Sequence, residues 1–284
     1  MRSLILGLIL AVSLFLSRAH AQTHVEFNTT LGPLLVELYD TEKPQTVQNF
    51  LGLVANPAFS ELFFHIWGPG NSLSGGEFAL YPNWPTNPAY TNSSYPVLNF
   101  NASITNEIHV GKFFSNTFGT IAKDNLTTNI TRPTFFINLT NNTHLDTLFG
   151  GYNVFGKVIG NTNLLGLFNY APGTHGIYVT NYYGSGKPGP FFAFPSLFEG
   201  SLAPKNLIFI HPRVVNATIR ANYNRNTSSV NFNTLSNYTH VVEVATNLPP
   251  DWKLVTFTLG TGSPMSIPDN NTNAPVRIYR VRIE

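Results

Sequence analysis

The eight histidines are scattered along the chain, with no spacing suited to a metal ion, and a lone histidine in such a pattern is read as structural or solvated. Cysteine is absent, which excludes thiol nucleophiles, thiolate metal sites and disulfides together. Walker, H-E-x-x-H and G-x-S-x-G patterns are also missing. No cofactor and no metal is therefore expected. The residues that carry a functional reading lie instead in short, separated segments. These are Phe64-His65-Ile66, Asn71 to Phe78, Asn125, Arg132 to Phe136, and His144-Leu145-Asp146.

The elements that must position these segments are mostly strands. Val25 to Tyr39 alternates apolar and polar residues around Leu31-Gly32 and reads as a β-hairpin. Pro44 opens a helix, where its missing N–H costs nothing, and Val47, Phe50, Leu51 and Val54 make its buried stripe. Asn56-Pro57 stops it. From Phe63 the chain is strand-like. Residues 79–105 and 171–205 are rich in Pro, Gly, Asn and aromatics and read as long loops, the second including an aromatic-rich 178–198 stretch. Gly119 to Leu139 holds two short apolar pieces separated by a polar loop. Val154 to Ile159 and Asn206 to Val215 read as strands, and Asn163 to Phe168 as a short helix. Beyond about residue 217, strand candidates at Val241–Ala245, Leu254–Leu259 and Val276–Ile283 alternate with Asn/Pro/Gly clusters.

At the N-terminus, Met1-Arg2 precedes an apolar run, Leu4 to Leu16, and then Ala19-His20-Ala21. That order is a signal peptide with cleavage after Ala21, and the run of about 13 residues is short for a membrane-spanning helix. Cleavage removes Arg2 and Arg18 from the 16 basic residues, leaving 14 against 14 acidic ones. A mature chain near neutrality lacks the basic clusters that nucleic acid or an anionic membrane requires, so neither is expected as a partner. Eleven N-x-S/T sequons, such as Asn138-Leu139-Thr140, leave open both glycosylation and an Asn/Thr-rich bacterial surface.

Taken in order, the segments resemble the cyclophilin family of peptidyl-prolyl isomerases. The opening hairpin and Pro44 to Phe50 are similar to that family's first strands and helix. Phe64-His65, followed ten residues later by Gly75-Gly76-Glu77-Phe78, resembles its F-H-R-V-I-P segment running to Q-G-G-D-F. Gly119-Thr120-Ile121-Ala122, Phe135-Phe136-Ile137, Leu145-Asp146 and Val154-Phe155-Gly156-Lys157-Val158 continue the match over nearly 200 residues. The resemblance implies a mainly β fold: a closed eight-stranded antiparallel barrel capped by two helices over residues 22–217. A small all-β, sandwich-like module at 218–284 completes the chain, after a signal peptide at 1–21.

It also implies an activity. An X-Pro amide isomerises slowly because resonance makes the C–N bond partly double, with a barrier of about 18–20 kcal/mol for peptide bonds. The family's arginine is thought to donate a hydrogen bond to the prolyl nitrogen and so weaken that resonance, while an apolar pocket holds the ring. Here the arginine position is Ile66. Asn71, Ser72 and Ser74 stand where the family has Phe, Met and Gln, Thr134 replaces a Gln, and His144 replaces a Trp. His65, Asn125, Phe136 and Leu145 still match, and Phe64 is read as core. The site implied by the resemblance therefore has His65, Asn125 and Thr134 in the catalytic positions. Asn71, Ser72, Ser74, Phe136, His144 and Leu145 line the substrate pocket. Arg132 is read as a solvated loop residue, with a swing over the groove as the alternative, and residual activity is expected to survive its loss.

The tail has a resemblance of its own. Val241 to Leu248, Asp251-Trp252 and Pro275 to Arg282 are similar to a β-module that ends many exported proteins of Verrucomicrobia and Planctomycetes. The combined expectation is an exported isomerase of low activity, periplasmic, surface-bound or extracellular, monomeric, acting on Pro-containing segments of exported proteins. The competing expectations are a non-catalytic Pro-peptide binder and a structural surface protein on the same scaffold.

Overall fold

The computed structural model describes residues 22–57, 61–79, 104–127, 129–180, 183–184, 187–188, 194–197, 206–215, 221–224, 227–247, 249–269 and 277–283. The signal-peptide expectation and most of the 79–105 loop lie outside the described residues. Strands β1 (His24–Thr29) and β2 (Gly32–Leu38) form the expected hairpin, with Val25 paired to Val36 and Phe27 to Leu34. Helix α1 (Pro44–Val54) follows and buries Val47, Phe50 and Leu53. Its N-terminus has no local side-chain cap. The Glu107 carboxylate takes that role from far along the chain, accepting the N–H of Gln45 at 3.2 Å and of Thr46 at 2.7 Å.

Next come β3 (Leu62–Phe63), β4 (Ile66–Gly68), β5 (Ser72–Gly75), β6 (Ile104–Thr105), β7 (Thr120–Thr127), β8 (Ile130–Asn138), β9 (Val154–Gly160) and helix α2 (Asn163–Leu167). Two short ribbons follow. One pairs β10 (Tyr178–Thr180) with β13 (Phe194–Ser196), the other β11 (Tyr183–Gly184) with β12 (Lys187–Pro188). The stretch read as one long loop therefore contains paired strands. β14 (Phe209–Val215) returns to pair with β1.

The main sheet runs β3-β14-β1-β2-β9-β7-β8-β5-β4, all antiparallel, with β6 added on β8. Its two terminal strands, β3 and β4, are two halves of one chain segment separated by Phe64 and His65. Phe64 donates its N–H to Ile208 beside β14, and His65 donates to Ser74 on β5. The segment thus hydrogen-bonds to both ends of the sheet and closes it. Counting β3 and β4 as one strand and setting aside the two-residue β6 gives the expected eight-stranded barrel, and closure leaves no long free edge.

The interior is aromatic. Phe27, Phe50, Phe135 and Phe155 pack with ring centroids 5.3–6.2 Å apart. Helix α1 contributes Phe50, and α2 contributes Leu165. Emptying a buried aromatic site of this kind typically costs about 3–5 kcal/mol. Gly75 and Gly76 are obligatory beside it. A Cβ on Gly75 would meet Ile210 at 2.7 Å, and Gly76 has φ +95° with Phe135 2.7 Å from where its Cβ would be.

Beyond β14, two three-stranded sheets form. One is β15 (Asn222–Asn224), β16 (Ser229–Asn233) and β19 (Pro264–Pro268); the other is β18 (Lys253–Leu259), β17 (Thr239–Ala245) and β20 (Ile278–Ile283). They share a core around Val230, Phe232 and Val242. Tyr238 joins this part to the barrel. It is fully buried against Leu35, its ring fills the space over Gly160, and its hydroxyl donates to Glu26 at 3.1 Å. The Tyr238 hydroxyl pKa is pushed up by burial first and then by the Glu26 charge, so it stays a donor.

Candidate functional site

On the outer face of the barrel a row of directly opposed residues crosses five strands. Ile66 faces Ser74, Ser74 faces Phe136, Phe136 faces Ala122, and Ala122 faces Val154. Opposed residues share a face, so these side chains form one band, the face on which the family resemblance places the peptide groove. Phe136 forms its floor. Ala122, Val154, Leu145, Tyr152, Phe114 and Tyr39 pack around it as one apolar cluster. Tyr152 meets Phe136 edge-on at 5.6 Å, and Phe114 stacks on Tyr39 at 4.0 Å. The opposite flank is Ser74, buried, and Ile66, 40% exposed. Half of the pocket wall is therefore aromatic and aliphatic, and the other half is hydroxyl and a bare isoleucine.

A buried network of amides holds the apolar walls. Asn138 donates to Thr120 at 2.9 Å and to Asn116 at 3.1 Å, and Asn142 donates to Asn138 at 2.8 Å. Asn116 in turn donates its backbone N–H and its amide to Asp146 at 2.8 and 2.9 Å, and the Ser115 hydroxyl donates to the other Asp146 oxygen. This chain ties the segment carrying Phe114 to the turn carrying Leu145. Asn138 is fully buried here, so a glycan on the Asn138 sequon is incompatible with the fold.

At the far end of the groove sits a charged cluster. Arg132 lies within β8, not in a loop as the sequence reading had it, because β7 and β8 are joined by a tight turn around Asn129. It is two residues from Thr134 and four from Phe136, but the β7–β8 ladder shifts register in this stretch, so alternation does not fix its face. Its Nε lies 3.8 Å from Asp124 on β7. Burial raises the Asp124 pKa, with Arg132 and the Asn125 N–H opposing and Glu77 adding to the rise. Glu77 accepts a 2.8 Å hydrogen bond from the Thr134 hydroxyl. Burial also raises the Tyr152 pKa, with the Asp124 charge adding and the Arg132 charge opposing.

The residues singled out from sequence are thus unevenly placed. Ile66, Ser74, Thr134, Phe136 and Leu145 come together at the groove. Asn125 borders it, donating its side-chain amide to Gly151 at 3.0 Å. Ser72 is half-buried one row away, opposite Asn138. Asn71 is exposed in the β4–β5 turn, where its carbonyl accepts from Leu139 and Asn142. His144 is exposed on the turn before Leu145. His65 does not face the groove. It is fully buried, stacked edge-on against Phe78 at 4.7 Å, and burial drives its pKa down to about 3. Phe64 is core, as expected. Sequence reasoning missed Tyr152, Phe114, Tyr39, Asp124 and Glu77. Among the described residues no group of His, Asp and Glu could hold a metal ion.

The family described as cyclophilin type peptidyl-prolyl cis-trans isomerase/CLD matches residues 24–175, more than half of the chain. The chain belongs to this family. A peptidyl-prolyl cis-trans isomerase of Acinetobacter baylyi is 34% identical over 157 residues, covering 54% of this chain and 75% of that one. Peptidyl-prolyl cis-trans isomerase-like 3 of Emericella nidulans is 31% identical over 161 residues, covering 48% and 72%. Among solved structures, a Cryptosporidium parvum cyclophilin-type isomerase aligns with a TM-score of 0.46 at 18% identity, over 70% of this chain and 100% of that one. By family resemblance, then, this cyclophilin is a peptidyl-prolyl isomerase, and its matched region ends before the two C-terminal sheets begin.

Proposed function

We propose that this cyclophilin is an isomerase of reduced turnover that holds Pro-containing segments of exported proteins in the groove above Phe136. The observation that carries the reading is the row Ile66–Ser74–Phe136–Ala122. Its floor is apolar and suits a prolyl ring, but the residue at its head has no hydrogen-bond donor. Catalysis here requires stronger interaction with the twisted amide than with the planar one. Losing one well-placed donor typically costs about 2.7–4 kcal/mol, roughly a hundred- to thousandfold in rate. Ser72 and Ser74 further reduce apolar contact on that flank, while Leu145, Tyr152 and Phe114 supply it on the other. The same Ile66 favours, as a second reading, a binder that holds Pro segments without turning them over. Export rests on the Met1–Ala21 segment, and the near-neutral mature charge argues against nucleic acid or an anionic membrane as partner. Titration of isotope-labelled mature protein with an Ala-Pro-containing peptide tests the site. Resonances of Ala122, Phe136 and Tyr152 should shift, and Phe136→Ala should abolish the response. Binding that persists unchanged in Phe136→Ala would rule the groove out.

A further inference from the structure

We propose that the turn after Leu145 carries a subsite for a large apolar side chain of the bound segment, with Phe149 as its specificity-determining residue. The proposal rests on the groove reading above and adds the class of segment that the groove selects. Phe149 has φ +50° and ψ +36°, in the left-handed region. The other non-glycine residues with positive φ among the described residues are Asn161, Ser228 and Asn237, small polar types. A bulky phenylalanine holds this conformation only at a cost in stability. Burial does not offset that cost. Phe149 is 65% exposed, and its ring joins neither the barrel core nor the cluster around Phe136. Leu148 beside it is also exposed. Strain retained where the side chain adds little to the fold is explained by a contact with something outside the fold.

The base of the turn is the wall of the groove. Tyr152 donates its N–H to the Leu145 carbonyl at 2.9 Å, which closes the loop 146–151, and both residues pack with Phe136. Three residues span at most about 11 Å, so the Phe149 backbone lies within that distance of Tyr152. An extended peptide advances about 3.3 Å per residue. A residue within about four positions of a proline seated on Phe136 therefore reaches the tip. The tip is held in one shape. Asn125, which borders the groove, donates its side-chain amide to the Phe149 carbonyl at 3.4 Å and to the Gly151 carbonyl at 3.0 Å. Asn106 donates to the same Gly151 carbonyl at 2.9 Å. Gly151 has φ +89°, and a Cβ there would meet the Asp146 carbonyl at 2.6 Å. A turn already held loses little freedom on binding, so apolar contact at its tip goes into affinity. Neither Leu148 nor Phe149 offers a side-chain hydrogen bond, so the side chain that suits them is aliphatic or aromatic.

Peptide affinities of the isotope-labelled mature protein test this. The probes are an alanine-based peptide with one central Pro, and versions with a single Phe at each of the four positions on either side of it. Wild type should bind at least one Phe version about fivefold or more tighter than the all-alanine peptide. Phe149→Gly and Phe149→Asn both accept the left-handed backbone, so neither should lower the urea midpoint. In both, the preference for Phe should fall to within about twofold. A wild type without the preference, a preference retained in either variant, or a midpoint lowered in both overturns the assignment. A preference retained in Phe149→Gly while Phe136→Ala abolishes binding sinks the subsite alone; binding retained in Phe136→Ala sinks the groove itself.

Discussion

Lys123 offers a quantitative test of how the strand beneath the groove is packed. It lies on β7 between Ala122 and Asp124, points into the barrel and is fully buried. Its ammonium donates to the Pro133 carbonyl at 3.1 Å and to Asn49 at 3.3 Å, and it sits 5.9 Å from the Phe155 ring. Among the described residues no carboxylate lies within ion-pair distance of it. Burial pushes its pKa down to about 7. The unfolded chain holds this proton up to about pH 10.4, whereas the folded chain releases it near 7. Between those values the unfolded state binds more protons, so stability rises with pH, and the amount is on the order of 4–5 kcal/mol. Lys123→Met removes the charge at similar length but also removes two hydrogen bonds, each worth about 0.5–1.5 kcal/mol. The variant should therefore gain roughly 2 kcal/mol at pH 7 and lose that advantage by pH 10. Urea unfolding of both proteins at pH 6, 8 and 10 reads this directly, because other titrating groups cancel in the difference. A wild-type stability that is flat from pH 7 to 10, or a Met advantage independent of pH, would show that Lys123 is not held uncompensated in the core.

Two further outcomes are expected. Asp146→Ala strips the acceptor from Asn116 and Ser115 and should cost about 1–3 kcal/mol in urea unfolding; it should also weaken Ala-Pro peptide affinity, because Phe114 and Leu145 lose their common tether, and an unchanged Kd would show that the network does not position the walls. N-terminal sequencing of secreted material should give a chain starting at or near Gln22, and a mature protein that retains Met1 would contradict export.

The hairpin and α1 were legible because their signals are local. Strict alternation marks β1 and β2, Pro44 marks the helix start, and Val47 and Phe50 mark its buried face. The barrel's closure was legible only through the family resemblance and not from local pattern, since it depends on Phe64 and His65 switching partners between two strands that are far apart in sequence. The polar stretch between the two apolar pieces of Gly119 to Leu139 reads as a loop, yet the ladder between β7 and β8 runs through it with two register shifts. That error misplaced Arg132. Lys123 could have been found, because once Ala122 faces out the next residue must face in. Tyr152, Phe114 and Asp124 carried no periodic signal. Tyr152 and Phe114 reach the groove through loop geometry set by a buried amide network whose members look, in sequence, like ordinary surface asparagines. His65 shows the opposite failure: it matches the family's motif while its side chain belongs to the core.

Under the proposed function this groove binds proline but catalyses poorly because Ile66 and the two serines have replaced its strongest elements. The direct measurement is the isomerisation rate of an Ala-Pro peptide by exchange NMR, for wild type, for Ile66→Arg, and for Ile66→Arg combined with Asn71→Phe, Ser72→Met and Ser74→Gln. The wild-type rate should fall roughly a hundred- to thousandfold below that of a cyclophilin with an intact site. Ile66→Arg alone should raise it modestly, and the combined variant much further. A wild-type chain that isomerises the peptide at the full rate of such a cyclophilin, with no gain in either variant, would contradict the claim.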